Sequence, residues 1–336
     1  MQAASSMADA GKSERAARIA EESVQSQPER PEAYAVWGRA LAQLDKLVES
    51  AEKYELSLQH GATDREVFLE LANVYDVAAK YDDSVRIYTA YLGRFPGDPE
   101  FHQQLGLTLI LQEKFDAAVS QLREAVRLKP GDLQIVEDLG QALLRAGNLT
   151  EAEKMLGAVL AAAPSHVPAL RFAAETAAGL GHMSAALDFA NRALQGDPKD
   201  NDTRRLRARL LLLTDQAAQA LEDFALLVRA QPDDARLRLG EAGALLLIGR
   251  LDEAEQRLRQ VRASLGGSPQ LRLRELQLAL RRGDRTAFIP LTELGQGQLN
   301  SLEIWQEVAR QAKQRGDAKW QRAAQQRLTA LGQAKP

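Results

Sequence analysis

Seven times between residues 31 and 268 the chain returns to one pattern at a spacing of 34 residues, with no inserted or deleted position. A period of that length describes a pair of short helices, and one such pair has too little apolar surface to hold together alone. It is stable only when neighbours stack on it. The period therefore restricts the chain to an open, linear array whose working parts are surfaces.

Stepping through the sequence by 34 residues exposes the packing code. Gly38, Ala72, Gly106, Gly140, Ala174, Ala208 and Ala242 share one position, where a small residue lets two helix backbones approach closely. Ser50, Ser84, Ala118, Ala152, Ala186, Ala220 and Ala254 share another, again all small. Four residues on stand Tyr54, Tyr88, Leu122, Leu156, Phe224 and Leu258, with Ala190 as the exception, so that large side chains face small ones. Pro96, Pro130, Pro164, Pro198 and Pro232 occupy the closing position, and a residue without an amide donor cannot continue a helix. Ala62 and Gly266 replace that proline at the two ends of the series.

These positions resemble the tetratricopeptide repeat, a 34-residue helix-turn-helix unit. The best match is residues 67–96, VFLELANVYDVAAKYDDSVRIYTAYLGRFP, with Leu71, Ala72, Tyr75, Ser84, Tyr88 and Pro96 at the family's signature positions. The resemblance implies an all-α chain, a right-handed α-solenoid of stacked helix pairs. The wording, rich in Ala, Arg, Leu and Gln, reads as bacterial.

Outside the seven regular units the pattern weakens. Ala16, Ala20 and Pro28 fit the second helix of a preceding unit whose first helix begins before Met1, so residues 1–30 read as a partial repeat. Either the sequence is a fragment of a longer protein or a short helix over residues 2–9 caps the array. Gly11-Lys12-Ser13 falls at the inter-helix position held elsewhere by Gly147, Gly181 and Gly249 and is expected to be a turn rather than a phosphate-binding loop, which would need glycine at Ser6. Residues 269–301 read as a degenerate repeat in which Pro290 breaks the second helix. Residues 302–336 read as a capping helix pair with Gly316 at its turn.

With 45% hydrophobic and 26% charged residues the composition is that of a folded helical protein. No run approaches the roughly 18 apolar residues of a membrane span. There is no cysteine, hence no disulfide or thiolate site, and the compartment stays open between cytoplasm and periplasm, the latter as a lipoprotein trimmed of its acylated cysteine. The net charge of −3 conceals an acidic first half and a basic second half. Two readings follow: solvated faces that merely differ, or a field that orients a bipolar partner or favours contact between copies. The basic half is studded with acids and lacks interleaved aromatics, which argues against nucleic acid.

No catalytic constellation is present. His60, His102, His166 and His182 are scattered and no pair has the i,i+4 spacing of metal ligands, so neither metal nor cofactor is expected, and no enzyme.

What remains is the inner groove, for which the resemblance supplies a map: the first helix of each pair lines it. The expected partner-binding residues are Asn73, Ile110, Leu111, Gln141, Leu144 and Arg171, followed by Arg205, Arg209, Leu212, Leu213, Arg236, Leu246, Leu247 and Arg274. Repeats that clamp a chaperone's terminal carboxylate pair a lysine with an asparagine, and Asn73 has Leu69 where that lysine belongs, so this clamp is not expected. The aliphatic residues Ile110, Leu111, Leu144, Leu212, Leu213, Leu246 and Leu247 allow two readings. They pack against the adjacent first helix, or they form an apolar strip rimmed by Arg205, Arg209 and Arg236 that accepts an amphipathic helix or an extended segment with acidic flanks. The functional expectation is a non-catalytic adaptor for a protein or peptide, within a bacterial assembly or secretion system. The alternative is a homo-oligomeric scaffold joined through repeat ends or the convex face.

Overall fold

The computed structural model describes residues 2–266, 268–282, 305, 308–310, 312–313 and 316–333, and every regular element among them is a helix. The chain divides into two compact units, Met1–Gly181 and His182–Pro336. The first holds α1 (Gln2–Ser26), α2 (Pro31–Gln43), α3 (Leu47–Gln59), α4 (Arg65–Val77), α5 (Tyr81–Leu92), α6 (Pro99–Leu111), α7 (Phe115–Leu128), α8 (Leu133–Arg145), α9 (Leu149–Ala162) and α10 (Val167–Gly179). The second holds α11 (Met183–Gly196), α12 (Asn201–Leu213), α13 (Ala217–Ala230), α14 (Ala235–Leu247), α15 (Leu251–Leu265), α16 (Pro269–Arg281) and α17 (Ala318–Gln333). From α1 to α10 and from α11 to α16 consecutive helices pack on each other, as an all-α solenoid requires.

The two helices of each pair are joined through a left-handed residue. Asp45, Ala79, Glu113, Gly147, Gly181, Asp215 and Gly249 lie 34 residues apart, and all seven have positive φ, from 55° at Ala79 to 84° at Gly249. After α4 the Ala79 amide donates to the Asp76 carbonyl and the Lys80 amide to Tyr75, the paired bonds of a Schellman turn. Four of the seven positions therefore hold a side chain where only glycine is free of strain. Gly11 is not among them. It lies inside α1, which runs unbroken for 25 residues, so the expected turn at Gly11-Lys12-Ser13 is replaced by continuous helix.

The next repeat begins on an acidic cap. Asp98 accepts hydrogen bonds from the Glu100 and Phe101 amides, Asp132 and Asp200 cap α8 and α12 in the same way, and Asp234 caps α14 through the Arg236 amide. His166 takes this place before α10, its Nδ1 accepting the Ala169 amide at 3.4 Å.

The small and large positions meet as the period demands. A methyl group added at Gly38, Gly106 or Gly140 would lie within 3 Å of Tyr54, Leu122 or Leu156 respectively. Ser50, Ser84 and the five alanines of the other small position are all fully buried. Density of this kind makes volume changes of one methyl group costly, about 1–3 kcal/mol for overpacking.

First helices also touch first helices. In the first unit α2 packs on α4, α6 on α8 and α8 on α10, and in the second α14 packs on α16, whereas successive second helices make no contact of that extent. The first-helix row is thus the more closely spaced side of each unit. At the far end Trp305, Val308 and Ala324 pack with Leu276 and Leu280 of α16, while Pro290 lies outside the described residues.

Candidate functional site

The first-helix rows are the walls on which the expected binding residues stand, and each unit presents its own. Burial sorts those residues by their place in the last helical turn. Ile110, Leu144 and Leu212 are half-buried and pack against the hydrophobic clusters beneath them. The residue that ends the helix points outward: Leu111 is 57% exposed, Leu213 62%, Leu247 40%, and Val77, absent from the expected set, 70%. Leu246 is a correction. It is 1% exposed, packed with Leu271 and Leu278 of α16, and belongs to the core rather than to an open strip. Ile110, Leu144, Leu212 and Leu246 are thus covered by neighbouring side chains, whereas Leu111, Leu213 and Leu247 are open to water.

The polar residues of the second wall are less uniform than their sequence suggests. Arg209 and Arg236 are exposed. Arg205 is half-buried, donates to Gln231 Oε1 at 3.0 Å and lies 3.7 Å from Asp202 and 3.8 Å from Asp234. Arg274 donates to Gln277 Oε1 at 2.8 Å, and its guanidinium fills the space over Gly243 of α14, where a methyl group would come within 3.1 Å of it. Glycine at that point of α14 makes room for arginine on the next first helix.

In the first unit Asn73 is exposed and its Oδ1 accepts the Tyr88 hydroxyl at 3.0 Å; Gln141 is half-buried. Arg171 sits 4.8 Å over the Phe172 ring. Between them the wall is acidic. Asp76 accepts Thr108 Oγ1 at 3.0 Å and the Tyr88 hydroxyl at 3.2 Å; burial pushes its carboxyl above the ordinary value, against the pull of those hydroxyls. Asp138 is buried, accepts Gln103 Nε2 at 2.6 Å and Gln134 Nε2 at 3.0 Å, and is likewise raised by desolvation. Glu137 is 5% exposed and raised by burial, with His166 opposing and Asp138 adding to the shift. The residue types at these positions are legible in the sequence, but that neutral groups rather than cations hold them is not.

A cleft of about 800 Å³ opens beside the start of α6 and α8, lined by Arg65, Phe95, Glu100, Lys129 and Ile135 among others. Its charges satisfy one another: Arg65 Nε donates to Asp98 Oδ2 at 2.6 Å and Lys129 Nζ lies 2.8 Å from Asp132 Oδ2. Though desolvated, Asp98 is held below the usual carboxylate range by Arg65 and the Phe101 amide. Among the described residues no group of three acids, histidines or cysteines could hold a metal ion, and no helix is long and apolar enough to cross a membrane.

A family model described as tetratricopeptide repeat matches residues 1–64, 69–132 and 205–269, and a second model of the same description matches residues 109–171. No curated protein matches the chain. Among solved structures it is similar to a tetratricopeptide repeat protein from Parabacteroides merdae, at 13% identity over 74% of this chain and 98% of that one, with a TM-score of 0.58. It is also similar to the C-terminal part of a repeat-containing protein from Cytophaga hutchinsonii, at 13% identity, 68% and 94% coverage and a TM-score of 0.54. PilF of Pseudomonas aeruginosa gives 17% identity, 63% and 94% coverage and 0.51. At these identities the likeness is one of fold.

Proposed function

Since the chain belongs to the tetratricopeptide repeat family, we propose that it is a non-catalytic adaptor that binds a protein segment on the first-helix wall of its second unit. The observation that carries this reading is the pair Leu213 and Leu247, aliphatic side chains left open to water at the ends of α12 and α14, on the helices that also bear the exposed Arg209 and Arg236. Large aliphatic groups in that position gain about 25 cal/mol per Å² when a partner covers them. The arginines give the encounter its orientation and rate. The segment that fits presents leucine-like residues flanked by acids.

The test is direct binding of a labelled amphipathic glutamate/leucine peptide to the full chain. Leu213→Ser/Leu247→Ser leaves the core untouched and is expected to weaken binding about tenfold or more, the equivalent of roughly 1.4 kcal/mol. Equal affinity in wild type and variant removes the reading. The Ala-, Arg-, Leu- and Gln-rich wording favours a bacterial origin, and an assembly or secretion system is the setting we propose.

A second reading, a scaffold built from copies of this chain, is favoured by the charge: the first unit carries 18 Lys and Arg against 27 Asp and Glu, the second 25 against 19. Opposite net charges attract end to end and are screened by salt. Light scattering at low and high salt distinguishes the two readings, because only the scaffold gives an oligomer that dissolves as salt rises.

A further inference from the structure

The first unit has its own open aliphatic positions, and the chemistry around them is the reverse of that in the second. Val77 and Leu111 end α4 and α6 at 70% and 57% exposure. Along the same helices and α8, the wall carries Glu66, Glu70, Asp76, Glu100, Glu137 and Asp138. Part of that charge is answered, since Arg39 pairs with Glu70 at 2.7 Å and Arg65 with Glu100 at 2.5 Å. The inner part is not. Asp76 and Asp138 are held by hydroxyls and amides, which fix the carboxylates without cancelling their charge, and neither lies within ion-pair distance of a cation. Glu137 is nine-tenths buried and its Oε2 accepts no hydrogen bond. His166 Nδ1 stands 2.9 Å from it and, with Arg171, opposes the rise of its carboxyl, so Asp76 and Asp138 are the barer of the three acids.

A carboxylate removed from water and matched only by neutral donors leaves its field uncancelled in a medium of low polarity, where an incoming cation gains more than it would at an exposed site. Desolvating these acids has been met by folding, so a partner supplies the missing charge without reorganising them.

We infer that the first-helix wall of the first unit is a separate docking surface for a basic amphipathic protein segment, whose aliphatic residues cover Val77 and Leu111 while its lysines or arginines meet the acids of α4, α6 and α8. The inference rests on the adaptor reading and extends it: the chain joins two segments of opposite charge, one on each unit.

The probe is a labelled peptide alternating lysine and leucine, with a lysine/glycine peptide of equal charge as control, titrated against the full chain. The lysine/leucine peptide is expected to bind, and Val77→Ser/Leu111→Ser to weaken it about tenfold or more. Asp76→Asn/Glu137→Gln/Asp138→Asn, which removes the charge and leaves one acceptor oxygen in each side chain, weakens it as well and flattens its salt dependence. Leu213→Ser/Leu247→Ser leaves it unchanged. Equal affinity in the Val77/Leu111 variant, equal binding of the lysine/glycine peptide, or no binding at all overturns the inference. Retention of glutamate/leucine binding in that event leaves the adaptor reading standing, so the two fail separately.

Discussion

One slot between paired helices is filled differently from repeat to repeat. In the first unit it holds Leu71 and Ile87, both buried in the main core. Four periods later, in the second unit, the same two positions hold Arg207 and Asp223, whose guanidinium and carboxylate meet through hydrogen bonds of 2.8 and 2.6 Å. One period on, the pair is Glu241 and Arg257 at 2.8 Å, with the charges exchanged between helices. In α2 and α3 the slot holds Trp37 with Lys53 4.2 Å over its ring. The repeat therefore fixes which two side chains share a space but leaves the chemistry free, provided the two complement each other. An aliphatic pair stabilises through burial, whereas a buried ion pair roughly balances attraction against lost hydration and becomes a liability when one partner is removed.

The sharpest break of that equivalence is Asp223→Ala. It removes the carboxylate that faces Arg207 and Arg204, leaves Arg207 with Asn191 Oδ1, and is expected to destabilise the second unit by about 3 kcal/mol, read by urea denaturation with hydrogen exchange resolved by unit. The double variant Arg207→Leu/Asp223→Ile, which copies the first unit's filling, is expected to recover the loss or exceed it. If the double variant is as unstable as the single, the slots are not equivalent.

A smaller effect compares turns. Ala79 in the first unit has φ 55°, and Gly249 occupies the matching position in the second with φ 84°. Ala79→Gly removes left-handed strain and is expected to stabilise by about 1 kcal/mol, while Gly249→Ala introduces that strain and destabilises by a similar amount. Melting temperatures that move the same way in both variants would show that the turns carry different loads.

The smallest effect is in pH. Asp76, Glu137 and Asp138 have carboxyls raised by burial, so the folded first unit binds protons more readily than the unfolded chain. Their contribution is favourable in acid and is lost as pH rises from the ordinary carboxylate value through the raised one. Asp98 and Asp132, held low, contribute in the opposite sense: their stabilisation is present above the ordinary value and is lost on acidification. Asp138→Asn is expected to flatten the decline in first-unit stability between mildly acid and neutral pH. An unchanged slope would mean that Asp138 titrates as it does in water.

Much of this was legible before any coordinates. The small–large alternation located the contacts of Gly38 with Tyr54, Gly106 with Leu122 and Gly140 with Leu156, and the turn glycines located the left-handed residues, though not that Asp45, Ala79, Glu113 and Asp215 share their backbone. The aliphatic residues of the walls were legible as a group but not individually. Leu212 and Leu246 hold the same repeat position, yet the first is half-buried and the second is core, because α16 lays Leu271 and Leu278 against Leu246. Gly11 misled because it has the spacing of a turn glycine but lies inside the continuous helix α1.

By itself, then, the sequence determined the helical array, its register and the pairing of small with large, because those follow from a period that repeats along the chain and from contacts between near neighbours. Only the tertiary structure decided which wall residues stay open to water and which acids lack a cation. Burial and charge compensation depend on side chains arriving from adjacent helices, whose identity at a given position the period does not specify.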